Sequence, residues 1–218
     1  SGNQLWSQDP DATSNGVPTD SSGNIYVTGY TSGGLDGNTS SGGPDIFLVK
    51  YNSSGTKQWT KQLGTSSHDY GSGVTVDSSG NIYVTGFTTG GLDGNTNSGD
   101  YDNFLVKYNS SGTKQWTQLL GSTSNDRVYE ITVDSSDNIY VTGYTEGELD
   151  GNTNSGGKDL FLFKYNSSGS NHRYRLLGTS SDEEGYDVTV DSSDNIYVTG
   201  YTEGGLDGYI SSGGKDLI

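Results

Sequence analysis

The sequence predicts an all-β fold built from four copies of one unit, and three observations carry that prediction. DSSGNIYVTG begins at Asp20 and Asp77 and DSSDNIYVTG at Asp134 and Asp191, so the chain repeats every 57 residues. Within each copy the apolar residues alternate with period two, the signature of a strand and not of a helix. Clusters of Gly, Asn, Asp and Ser separate the alternating runs at hairpin spacing.

Each unit supplies four candidate strands: KQWTKQL (57–63), GVTVD (73–77), NIYVTGF (81–87) and NFLVKYN (103–109). No helix is expected. In NIYVTGF, Ile82 and Val84 point to one face while Tyr83 and Thr85 point to the other, and both faces are worth burying. The connections DSSGN and NSSGT pair an Asp or Asn, able to bond the backbone two residues on, with a Gly free to take positive φ. Asn52, Asn109 and Asn166 also open the glycosylation pattern NSS, but the plain turn is the better reading of so short a motif.

Self-similarity at a fixed period means stacked units that are not stable alone. A four-stranded antiparallel sheet with two semi-apolar faces packs best as a blade beside its neighbours around an axis, giving a β-propeller; a β-helix has much shorter coils. The whole chain, 1–218, is expected to form one domain of repeat units 1–52, 53–109, 110–166 and 167–218. SGNQLWSQ, at the start, matches a fourth strand, and GGKDLI falls inside a third one. In that arrangement the N-terminal strand completes the last of four blades and closes the ring, removing two exposed edges.

Composition agrees with a turn-rich β protein. Only 28% of the chain is hydrophobic and 35 residues are Gly, yet 16 Tyr, 5 Phe and 3 Trp argue against disorder. Eleven Lys plus Arg against 27 Asp plus Glu leave a net charge of −16, which repels nucleic acid and anionic lipid and favours cations. Cys is absent, which removes disulfides, thiolate catalysis and zinc-cysteine sites. No apolar run approaches the roughly 20 residues of a membrane span, so no membrane insertion is expected.

The motif D-S-S-G-N-I-Y-V-T-G, followed by D-x-F-L-V-K-Y and K-x-W, resembles the bacterial repeat family named for seven-bladed β-propellers, and the likeness runs through all four copies. The resemblance implies a propeller fold and a secreted or cell-surface setting. It implies no defined reaction.

Four glycine-rich loops, 35–45, 92–102, 149–159 and 206–216, are expected to join second and third strands and to emerge at one end of the molecule. Calcium takes about six to eight oxygens from carboxylates, amides and carbonyls, and a D-x-N-x-N run lets alternate side chains converge on one ion. Asp150, Asn152 and Asn154 have that spacing, with Asp159 able to close the shell. The matching positions are Asp93, Asn95, Asn97 and Asp102 in the second copy and Asp36, Asn38 and Asp45 in the first. The same residues serve as turn formers, Asp and Asn bonding local amides, and that plainer reading stands ahead of the cation. Tyr209 and Ile210 weaken the fourth copy.

Signals for catalysis are poor, and the chain is not expected to be an enzyme. His68 and His172 stand at variable positions. Asp182, Glu183 and Glu184, with Asp69 and Asp126 at the place of Glu183, are expected in a solvated loop. Tyr26, Tyr83, Tyr140 and Tyr197 fit blade packing better than sugar stacking, and Trp6, Trp59 and Trp116 fall on the outermost strand. The leading expectation is a non-enzymatic extracellular scaffold or adhesion module that contacts a protein or glycan, with calcium as the candidate ion for its loops. A lectin or carbohydrate-active enzyme with an axial site is the alternative, and a strand-swapped polymer subunit is a third.

Overall fold

A computed structural model of the chain describes residues 12–206 and 208–218. Fifteen strands form four antiparallel sheets in sequence order. The first holds β1 (Ala12–Gly16), β2 (Ile25–Thr31), β3 (Asp45–Tyr51) and β4 (Lys57–Leu63). The second holds β5 (Asp69–Val76), β6 (Ile82–Thr88), β7 (Asp102–Tyr108) and β8 (Lys114–Leu120). The third holds β9 (Asp126–Val133), β10 (Ile139–Thr145), β11 (Asp159–Tyr165) and β12 (Asn171–Leu177). β13 (Glu183–Val190), β14 (Ile196–Thr202) and β15 (Asp216–Leu217) make up the fourth. The only helix among the described residues is one 3-10 turn at Leu92–Gly94.

Each of the first three sheets straddles two sequence units, because the K-x-W strand or its counterpart pairs with the D-x-F-L-V-K-Y strand before it, Trp59 lying opposite Lys50. Both faces of the second sheet are buried by neighbours, as the two-sided alternation requires. Tyr26, Ile46 and Leu48 of the first sheet share one apolar cluster with Val74, Ile82, Val84 and Phe104 of the second. Tyr83 and Leu105, on the other face of the second sheet, join Val128, Ile139, Val141 and Phe161 of the third. Each fully buried aliphatic side chain in these seams contributes about 1.5–3 kcal/mol relative to exposure.

The inner strands β1, β5, β9 and β13 converge on one axial cavity of about 370 Å³, touched by Gly16, Val74, Ile131 and Val188. Four blade-like sheets around a shared axis are a β-propeller arrangement. The segment expected to complete the fourth sheet, residues 1–8, lies outside the described residues, as does Trp6. Tyr197 on β14 is 52% exposed, whereas its counterparts Tyr26, Tyr83 and Tyr140 are 0%, 0% and 3% exposed.

The turns follow the sequence closely. Asp77 Oδ1 accepts the N–H groups of Ser79 and Asn81 at 3.0 and 2.8 Å, and its Oδ2 accepts the Tyr83 hydroxyl at 2.9 Å. Gly80 takes φ +79° there, and Asp137 holds the equivalent position at φ +60°. Asp137 is a costlier choice, but its carboxylate accepts the N–H and the hydroxyl of Ser78 from the preceding blade, both at 3.0 Å.

Candidate functional site

The inner strands start earlier than their apolar alternation shows. β5 begins at Asp69, and its pairing with β6 skips Ser72 between Gly71 and Gly73. The same one-residue bulge leaves out Asn15 on β1, Tyr129 on β9 and Tyr186 on β13. A bulge bends the strand and re-aims the unpaired side chain, and such features gather beside functional sites. Here Asn15, Ser72 and Tyr129 line a second axial cavity, of about 320 Å³, together with Phe87 and Glu130. The two cavities share Asn15 and Glu130, so they form one axial opening.

Around this opening the otherwise similar copies differ. Tyr129 packs 5.5 Å from Tyr186 and 5.9 Å from Tyr144, and its hydroxyl donates to Glu184 Oε2 at 3.1 Å. Tyr70 stacks edge-on against Tyr30 at 4.8 Å, whereas Arg127, its counterpart, lays its guanidinium over Phe87 and Tyr101 at 5.0 and 4.5 Å. Glu184 fills the same position in the fourth sheet and pairs with Lys158 at 2.6 Å across the junction. One slot is thus filled by an aromatic, a cation and an acid in turn. Burial, and then the charge of Asp187, raise the Glu130 carboxyl above its ordinary value. Burial, followed by the charge of Glu184, likewise raises the Tyr129 hydroxyl.

The glycine-rich loops emerge at one end and join second to third strands, as the repeat implies. Asp36, Asp93 and Asp150 have φ of 52°, 54° and 49°, and the Gly after each is also positive, so L-D-G-N is a tight turn of the primed kind. Asp36 is held by Lys57 and Thr60, and Asp93 by Lys114 and Thr117, all on the outermost strand of the same sheet. The amides serve the loop's own backbone. Asn38 and Asn95 donate to the carbonyls of Leu35 and Leu92 at 2.7 and 2.9 Å, and Asn152 donates to that of Asp150 at 3.2 Å. Asn97 and Asn154 donate to those of Thr88 and Thr145, both at 3.1 Å.

Asp45, Asp102 and Asp159 turn the opposite way and are completely buried at the starts of β3, β7 and β11. The two aspartates of a loop therefore have different surroundings. Among the described residues no three His, Cys, Asp or Glu are grouped to hold a metal.

The acidic run departs from expectation. Asp69, Asp126 and Glu183 are 0% exposed and Glu184 is 5%, where a solvated loop was predicted. Asp69, Asp126 and Glu183 open inner strands, and Glu184, the next residue along, is covered by Tyr129 and Lys158 of the neighbouring blade. Asp69 also has its N–H bonded to the Pro44 carbonyl of the preceding blade at 2.8 Å. His68 is exposed, and the side chain of His172 lies outside the described set. Trp59 and Trp116 are half-buried against the seams. The bulge residues escaped the sequence reading. Their signal was a repeat column, Asn15, Ser72, Tyr129 and Tyr186, in which no side chain but Tyr recurs.

The chain is similar to several known proteins. The chain is 26% identical over 242 residues to an uncharacterized WD repeat-containing protein, L264, of Acanthamoeba polyphaga mimivirus, a match covering 85% of this chain and 17% of that protein. It is 27% identical over 199 residues to the regulatory protein FlaEY of Caulobacter vibrioides, covering 82% and 21%. The chain thus spans about a fifth of the length of these curated relatives. A Bacteroides caccae protein of unknown function aligns in structure with TM-score 0.44 and 11% identity, over 88% of this chain and 72% of that one. The beta-propeller repeat family matches residues 7–36, 58–93, 115–150 and 174–207, more than half of the sequence, and the chain belongs to that family.

Proposed function

We propose that the chain is a non-enzymatic binding and scaffold module that presents the loop-side mouth of its axial cavity to a protein or glycan partner, in a secreted or cell-surface setting. One observation carries this reading: four equivalent bulges turn unlike residues, Asn15, Ser72, Tyr129 and Tyr186, out of the sheet pairing, and three of them line one cavity. Repeated positions hold blades together, and only unlike positions can orient a partner. Tyrosine suits the task, giving a large amphipathic contact at low cost in side-chain entropy. The relatives described as WD repeat-containing and regulatory are in keeping with a binding role. The extracellular setting is supported by the resemblance of the repeat alone.

A glycan partner is favoured where Phe87 and Tyr129 stand beside Asn15 and Ser72, since apolar ring faces with a few polar groups suit a sugar. The chain is to be screened on immobilised glycans and on a displayed-peptide library, and selected ligands titrated against Tyr129→Ala and Tyr186→Ala. Affinity should fall at least about tenfold in either variant, with circular dichroism unchanged. Ligands that bind both variants as tightly as the parent would put recognition elsewhere and defeat the proposal.

A further inference from the structure

Six acidic side chains meet at the three blade junctions in a recurring arrangement. Asp45, Asp102 and Asp159 open the third strand of one blade, while Asp69, Asp126 and Glu183 open the inner strand of the next, and all six are 0% exposed. Each pair brackets one backbone step. A Cβ added to Gly64, Gly121 or Gly178 would lie 1.9, 2.1 and 2.1 Å from Oδ1 of Asp45, Asp102 and Asp159. The N–H of the following residue, Thr65 or Ser122, donates to Asp69 or Asp126 at 2.6 Å.

The second junction differs from the other two. At the first, Asp69 has both oxygens engaged, Oδ2 by Thr65 and Oδ1 by the Thr88 hydroxyl. At the third, Glu183 Oε1 accepts the hydroxyls of Thr179 and Thr202 at 2.8 and 2.6 Å. At the second, the Thr145 hydroxyl donates to the Gly147 carbonyl at 3.1 Å, as Thr88 and Thr202 do to those of Gly90 and Gly204, and it stands beside Asp126 without satisfying Oδ1. Oδ1 of Asp45, Asp102 and Asp159 is buried without a hydrogen-bond partner at all three junctions, and only at the second does the facing acid, through Asp126 Oδ1, leave a second buried oxygen unpartnered. The two residues are tied together through the backbone, the Asp126 N–H donating to the carbonyl of Tyr101 at 2.8 Å. Neither carboxylate takes part in an ion pair among the described residues. The adjacent cation, Arg127, is stacked on Phe87 and Tyr101.

Two buried carboxylates, each with an open oxygen and no counter-charge, are strongly unfavourable unless something neutralises them. We propose that Asp102 and Asp126 hold one divalent, oxygen-preferring cation, for which calcium is the probe, clamped across the junction of the second and third blades. Two carboxylates balance a 2+ charge, and hard cations choose oxygen ligands of this type. A net charge of −16 concentrates such ions around the molecule. The site is independent of the axial opening, so the binding proposal stands or falls separately.

Thermal unfolding in calcium and then in excess chelator tests the proposal on the whole chain. Saturating calcium should raise the parent midpoint by about 5 °C or more. In Asp126→Asn and Asp102→Asn that increment should vanish, while stability in chelator holds or improves because a buried charge is gone. Asp36→Asn, in the glycine-rich loop, should keep the full increment. Terbium titration, read as emission excited through tyrosine, should give one ion per chain in the parent and none in Asp126→Asn. An identical parent midpoint in calcium and chelator overturns the proposal. So does an increment that survives in both junction variants, or one that Asp36→Asn abolishes.

Discussion

Gly121 shows how tightly single residues are specified at a junction. Its backbone φ is ordinary, so conformational freedom does not explain the glycine. Space does, because a Cβ there would fall 2.1 Å from Oδ1 and 2.2 Å from Cγ of the fully buried Asp102. Gly121→Ala must therefore displace a packed carboxylate, and a loss of about 1–3 kcal/mol is expected, the usual range for overfilling a core. Gly94→Ala makes a useful contrast. Its φ of +80° strains an alanine, but nothing lies within 4 Å of the added carbon, so it should cost about 1 kcal/mol, from the backbone alone. Urea unfolding compares the two, and an undisturbed midpoint for Gly121→Ala would contradict the packing described. Nothing in the local sequence singles out Gly121. The acid that excludes its Cβ lies on another strand, and no local pattern encodes that meeting.

At the scale of strands and sheets, two-sided alternation was the most legible feature. Ile82 and Val84 meet the preceding blade and Tyr83 the following one, as an apolar pattern on both faces implies. The opening turn of each inner strand was not legible. DYGS, ahead of GVTV, reads as a loop because Gly and Ser are turn formers, yet Asp69–Val76 is one bulged strand. The same bulges form the axial mouth, so what was hidden in the fold was also hidden in the candidate site. Blade contact makes Tyr140 and Tyr197 unequal despite identical sequence around them. Tyr140 is 3% exposed and has Lys164 over its ring at 5.0 Å, whereas Tyr197 is 52% exposed. Tyr140→Ala should cost about 3–5 kcal/mol, as for other large buried aromatics, and Tyr197→Ala less than about 1 kcal/mol. Equal losses in chemical denaturation would mean that the fourth sheet is covered as fully as the third.

Across the whole molecule the acidic groups divide into two sets with opposite pH dependence. Burial raises Asp102, Asp126, Glu130 and Asp159 above their ordinary values. The folded chain holds these protons to higher pH than the unfolded chain, so their contribution is complete below the ordinary carboxylate range and is lost as pH rises through the raised values. Asp20 and Asp134 are lowered, because hydrogen bonds from Asn24 and Asn138 and from nearby N–H groups and tyrosines outweigh a burial effect that acts upward. Asp36 is lowered by the hydrogen bonds of Lys57 and Thr60, and Asp191 falls to about 2 through those of Asn195 and Ser193. This second set stabilises above the ordinary range and is lost as pH falls through the lowered values. The two trends cross near the ordinary carboxylate range, and there the net charge of −16 at neutral pH has also been largely titrated away, the sequence pI being about 4.1. Stability in chelator should therefore rise on mild acidification, from about pH 8 to about pH 5, and decline again below about pH 3. Calorimetric midpoints across that interval measure the trend. Asp126→Asn should flatten the rise, because it removes one of the buried groups responsible, and a parent midpoint that falls steadily from pH 8 downward would show that the buried acids do not control the profile.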